Sequence, residues 1–208
     1  MKKFLIAHSY NMVRMFLNQF AIAIFGFGLA LATIKAGSVD LRNATSIFAI
    51  AFYLFLIYTM TWDLGYKERA GVEAGRKEAK PMTGALIALC ANVPNFIFAI
   101  FITLATFIHV EAIGNVGAIC KFLAMFLEGM YLGVLQLPVG GAALHSYWFV
   151  FFLLPLPTIL TAGVAYVMGL KDIRVTRLSD PLIPESDRDP RSKKKTWSSH
   201  KEDQNKDQ

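Results

Sequence analysis

Apolar residues in this chain arrive in blocks of 19 to 28, separated by short charged or glycine-containing stretches. A hydrocarbon core about 30 Å thick needs roughly 20 helical residues to cross it, so blocks of this length predict membrane-spanning helices. The spans fall at residues 15–34, 44–62, 82–109, 116–137 and 146–170, after a lead-in at 1–14 and before a tail at 171–208. Membrane strands would instead alternate apolar and polar positions over about ten residues, and no stretch alternates over that length. The expected fold class is an all-α integral membrane protein, a bundle of about five transmembrane helices with a charged, disordered C-terminal tail.

Finer periodicity assigns faces within the blocks. In the first span Gly26 and Ala30, and likewise Gly28 and Ala32, are four apart, which would let another helix approach closely. The second ends in Tyr58, Thr59, Thr61 and Trp62, aromatic and polar residues suited to headgroup level. The third carries the clearest stripe: Gly84, Ala88, Asn92, Asn95, Ala99, Thr103 and Thr106, at steps of 4, 4, 3, 4, 4 and 3, share one helical face. Leu86, Ile87, Val93, Ile97, Ile100, Phe101, Leu104 and Ile108 mostly fill the other, so the small and polar side should face protein. Pro94 removes the donor for the Cys90 carbonyl and predicts a kink, with Asn92 or Asn95 at hand for the backbone. In the fourth segment Gly117, Lys121, Ala124, Glu128 and Tyr131 share a face. The sequence PVGGAAL after Leu137 reads as a break, and Pro155 and Pro157 predict a bent fifth helix.

Charge adds orientation. Lys2, Lys3 and Arg14 precede the first span, and the segment Asp63 to Lys80 carries five Lys or Arg against four acids. The positive-inside rule places both on the cytoplasmic side, which two intervening spans allow. Lys171, Arg174 and Arg177 ask for the same side, yet five full crossings put them opposite. Five crossing helices is the simplest count, and segment 116–137, with its two charges, is the candidate for a re-entrant element that removes the conflict. Within the charged segment, Arg69 with Glu73 and Glu73 with Lys77 stand at i,i+4 spacing, so part of it can be a short surface helix. Solvated turn is the plain reading; the sharper one is a docking element in which Arg69, Glu73, Arg76 and Lys77 meet a membrane or cytoplasmic protein partner.

A net charge of +6 could suggest nucleic acid, but the basic residues sit at segment ends and in the tail without interleaved aromatics, so no nucleic-acid partner is expected. Cys90 and Cys120 form no CxxC and read as small core residues, and His8, His109, His145 and His200 are scattered with no HExxH. No nucleophile elbow, P-loop, dinucleotide fingerprint or paired intramembrane carboxylate occurs. The expectation is a protein that is not an enzyme, with no catalytic residue, no metal and no cofactor. The remaining candidates are polar groups inside the spans. Glu128 leads them, because an ionisable group at mid-membrane depth marks an ion path, a proton relay or a buried partner. Lys121, about 10 Å away along the helix axis, is too far for easy contact but able to serve the same cavity, with Asn92 and Asn95 as further lining. The plainer alternatives are a hydrogen-bonded Glu holding helices together and a Lys that snorkels to the headgroups.

The NQF start of the first span, the WDLGYKERAGVEAGRKEAKP segment and the ANVPN helix together resemble a group of small uncharacterised bacterial multi-pass membrane proteins, over most of residues 10–170. The resemblance implies a bacterial inner-membrane setting, with the lipid bilayer as first partner, and carries no activity, cofactor or site residue. The leading functional expectation is a non-catalytic membrane subunit or accessory protein that docks a partner through residues 63–80. The alternative is a small transporter or permease component, homo-oligomeric because 208 residues provide few helices to enclose a path, with Glu128, Lys121, Asn92 and Asn95 lining it.

Overall fold

The structure is a computed structural model that describes residues 2–76, 78 and 80–173, the side chains of residues 34–36 excepted. Lys77, Arg174, Arg177 and the rest of the tail therefore lie outside the described residues, as does the expectation of disorder there. All elements belong to one compact unit, Met1–Asp172.

Helix α1 runs unbroken over Lys2–Ala36, so the charged lead-in and the first apolar block form one rod. Its end is set by Gly37 at φ 67°, a left-handed conformation that glycine adopts without steric cost. Ser38 then caps α2, Val39–Glu73, by accepting a hydrogen bond from the Leu41 amide at 3.3 Å. The two-residue turn folds α2 back along α1. α2 carries on past Trp62 to Glu73, so most of the charged segment, in place of a solvated turn or a separate short helix, is the last turns of a long helix.

The third block is two helices, α3 (Thr83–Ala91) and α4 (Val93–Phe107), bent by 54° at Asn92. The bend falls where Pro94 predicts it, at the second position of α4, where a missing amide costs least. The stripe is buried from Gly84 through Ala88, Asn92, Asn95 and Ala99; beyond it Thr103 is half-buried and Thr106 exposed, each donating to its own helix's carbonyl four residues back. Ile87, assigned to the outer side, is fully buried, because the bend turns α3 more than one face into the protein.

The fourth block departs furthest from a straight span. α5 (Glu111–Leu127) ends at Glu128, a 3-10 turn follows over Gly129–Tyr131, then the single turn α6 (Leu132–Leu135), with an 83° bend across the pair. PVGGAAL forms a two-stranded hairpin, β1 (Pro138–Val139) with β2 (Ala142–Ala143), turned by Gly140 and Gly141 at φ 60° and 87°. A 3-10 turn at Leu144–Ser146 leads to α7 (Val150–Leu153) and α8 (Leu156–Leu170).

Three stretches are long and apolar enough to cross a membrane: α1 over Lys2–Thr33, α2, and Val150–Leu170; the two bent pairs raise the count to five if each is one span. α8 packs along α2 and α3, α4 pairs with α5, and α1 lies against α2, α3 and the 129–131 turn. Glycines set the closest approaches. A Cβ on Gly65 or Gly169 would strike the backbone of the facing helix at Tyr166 or Trp62, so α2 and α8 meet almost backbone to backbone. Gly26 and Ala30 pack inward as read, whereas Gly28 and Ala32 are exposed and no atom lies near Gly28.

Candidate functional site

Glu128 sits where α5 stops. Its amide still donates to the Ala124 carbonyl at 2.9 Å, while its own carbonyl accepts from the Tyr131 amide at 2.8 Å, so the backbone tightens from α into 3-10 form at this residue. Glycine follows because the turn presses on α1: a Cβ on Gly129 would strike the Ala23 carbonyl, and one on Gly26 would lie 2.6 Å from the Met130 Cα. Ser46 of α2 fastens the other side, its hydroxyl donating to the Met130 carbonyl at 2.6 Å. The turn is thus clamped between the first two helices, and the Glu128 side chain, 3% exposed, is directed into the bundle.

There it meets carboxamides. Glu128 Oε1 accepts from Gln19 Nε2 of α1 at 3.1 Å and from Asn95 Nδ2 of α4 at 2.9 Å. Asn95 Nδ2 also donates to Asn92 Oδ1 at 2.9 Å, and Asn92 Nδ2 donates to the Ala88 carbonyl at 2.9 Å. Asn92 is the hinge residue of the α3/α4 bend, so one hydrogen-bonded chain joins α1, both bends and α3. Among the described residues no salt bridge includes Glu128. Around it three buried atoms have no hydrogen-bond partner: Asn95 Oδ1 and the hydroxyls of Tyr53 and Tyr131, both tyrosines within electrostatic reach of the carboxyl. Thr158 of α8 lies beside the Tyr53 hydroxyl without bonding geometry. Unpaired buried polar groups cost about 1–3 kcal/mol each, so this centre holds more hydrogen-bonding capacity than its own members use. The neighbouring void behind Gly26, Ser46 and Gly129 is too small for a water molecule.

Of the residues singled out by sequence, Glu128, Asn92 and Asn95 come together and Lys121 does not join them. Lys121 is half-buried in a separate cleft of about 180 Å³ between α4 and α5, whose lining includes Thr106, His145 and Ser146 but not Glu128. The shared cavity expected from their spacing is replaced by two environments, because the helix breaks at Glu128 and carries its side chain inward. Gln19 was not among the candidates, yet a signal was present: Met15, Gln19, Ile22, Gly26, Ala30 and Thr33 step by 4, 3, 4, 4 and 3, and all are buried. Tyr131 stands on the Glu128 face in the sequence, and Tyr53 falls on a like stripe of α2, Ser46, Ala49, Tyr53, Ile57 and Met60, at steps of 3, 4, 4 and 3 and all buried.

The charged end of α2 is paired within the chain. Arg69 Nε binds Glu73 at 2.6 Å and its Nη1 binds Asp172 at 3.0 Å, just beyond α8, while Lys67 binds Asp63 at 2.6 Å. The Tyr166 hydroxyl donates to Glu68. Arg76 is exposed. No group of three or more His, Cys, Asp or Glu side chains that could hold a metal occurs among the described residues.

The chain matches no protein-family model, no curated protein sequence and no solved structure.

Proposed function

We propose that the chain is a multi-pass protein of the bacterial inner membrane and a small, oligomeric transport component whose working group is Glu128. The observation that carries this reading is a fully enclosed carboxyl, held by carboxamides from two other helices, with no ion pair among the described residues and three unpartnered polar atoms around it. A carboxylate in a membrane interior is costly without a partner. Such a centre relieves that cost by taking up a proton or a monovalent cation, for which the spare oxygens of Asn95, Tyr53 and Tyr131 are suitable company. Two broken helices meeting at the group supply backbone that can rearrange as it is loaded and unloaded.

Docking of a partner through residues 63–80 has less to support it. Of the four docking candidates, Arg69 is engaged with Glu73 and with Asp172, and Arg76 is exposed.

Glu128→Gln tests the transport reading while sparing the fold, since the new amide oxygen still accepts from Gln19 and Asn95 and its NH2 can reach for Asn95 Oδ1. Proteoliposomes containing wild-type protein and an internal pH-sensitive dye should collapse an imposed pH gradient; those with E128Q should hold it. Equal rates for the two, or no wild-type flux with protons, sodium or potassium as the driving ion, would remove the transport role from Glu128.

A further inference from the structure

The cleft that holds Lys121 has a composition of its own. Its polar lining consists of Lys121, His145, Thr106 and Ser146: two groups able to carry positive charge, two hydroxyls and no carboxylate. Among the described residues no salt bridge neutralises Lys121. The His145 ring is oriented, its Nδ1 lying 3.0 Å from the Leu135 carbonyl. That oxygen only accepts, so Nδ1 carries a proton and Nε2 is left to accept from a hydroxylated anion or, when protonated, to donate to a charged one. At about 180 Å³ the cleft has room for about six waters at their bulk volume of about 30 Å³ each.

Two observations place it at the surface of a bilayer. The segment from Gln136 to Phe149 that closes it is a small hairpin, a 3-10 turn and irregular chain, and neither open strand edges nor irregular backbone face lipid within the hydrocarbon layer. Trp148 lines the cleft and is packed by Phe107, Phe149 and Phe152 at ring distances of 5.7, 6.0 and 6.5 Å, the arrangement of an aromatic anchor at headgroup level. Beside the cleft α5 exposes Val116, Ile119 and Phe122, an apolar surface on which acyl chains can lie.

We infer that the cleft between α4, α5 and the Leu144–Trp148 turn binds a phosphate-bearing anion, with Lys121 and His145 as its charged contacts and Ser146 as a hydroxyl donor. A tetrahedral phosphate suits donors that arrive from separate elements, and lysine engages it as a point charge. The apolar flank selects a phospholipid headgroup over a soluble phosphate.

The test uses purified full-length protein in mild detergent, with thermal unfolding followed against added dioctanoyl phosphatidylglycerol, dioctanoylglycerol and inorganic phosphate. Phosphatidylglycerol should raise the midpoint and the phosphate-free diacylglycerol should not. Lys121→Gln should weaken that response about tenfold or more, as loss of a charge-assisted contact does, with the ligand-free midpoint unchanged. Lys121→Arg should retain it, and His145→Gln should weaken it less. A Lys121-dependent response to phosphatidylglycerol alone assigns the site to the lipid, and the same response to inorganic phosphate assigns it to a soluble phosphate compound. Equal responses of wild type and K121Q, or an equal response to diacylglycerol, overturn the proposal.

Discussion

Glu128 and Lys121 lie seven residues apart in one apolar segment, about 10 Å along a helix, and end in opposite circumstances. Glu128 is enclosed, bonded to two helices and absent from the lining of the Lys121 cleft; Lys121 is half-buried, lines an open cleft and has no ion pair among the described residues. The nominal helical face does not separate them, since both stand on it in the same block. Local backbone does. Up to Leu127 the chain is a regular helix and Lys121 reaches out along it; at Glu128 the helix stops, and the clamp on Gly129 and Met130 by α1 and α2 turns the carboxyl inward. The burial of a charge in an apolar block is thus decided by where the helix breaks as much as by how apolar the block is.

The largest expected effect comes from removing the enclosed carboxyl without a polar substitute. Glu128→Leu leaves the amides of Gln19 and Asn95 facing a hydrocarbon side chain, at about 1–3 kcal/mol for each unsatisfied group, so a loss of about 4 kcal/mol is expected by denaturant unfolding in lipid or detergent. E128Q should lose far less. Equal losses in the two variants would mean that shape, and not hydrogen bonding, fixes the centre. Gly129→Val comes next. Its side chain meets the Ala23 backbone, which cannot rotate away, and overpacking of this kind costs about 3 kcal/mol. If the turn is what separates the two ionisable groups, G129V should also make Glu128 accessible to a water-soluble carbodiimide that leaves it unmodified in wild type. Asn95→Ala follows at about 1.5 kcal/mol, because Gln19 still holds Glu128 when the Asn95 bond to it goes together with the link to Asn92. A larger loss would show that the bend at Asn92 depends on that link.

What could be read from the sequence was what local rules govern. Pro94 and the stripe from Gly84 to Ala99 place the α3/α4 bend and its buried face, because proline and small residues act through their own helix. The 83° bend after Leu127 is a tertiary product: Gly129 by itself only permits it, and the force comes from Ala23 and Ser46, each more than eighty residues away in the chain. The Arg69 to Glu73 pair was legible from its i,i+4 spacing, whereas the Arg69 to Asp172 bond, which occupies the docking candidate, required α8 to return along α2. His145 reaches the Lys121 cleft through a hairpin and a 3-10 turn whose geometry no periodicity announces. Gln19 belongs to a third kind: its stripe was present in α1 and legible, and its partner on α5 was not.

The smallest effect discriminates best between the two charges. Lys121→Met should change stability by no more than about 0.5 kcal/mol, as substitutions away from buried networks do, because its ammonium holds no partner that would be orphaned. Combined with E128Q in a double-mutant cycle, it should show no coupling beyond about 0.5 kcal/mol, the level at which distant and independent sites add. A single polar cavity served by both residues demands the opposite, since neutralising one charge then alters the cost of keeping the other. Measured coupling well above that level, in stability or in gradient collapse, would reunite Lys121 with Glu128 in one path. Additivity, together with a phosphatidylglycerol response lost only with Lys121, leaves the segment with two independent tasks on either side of its break.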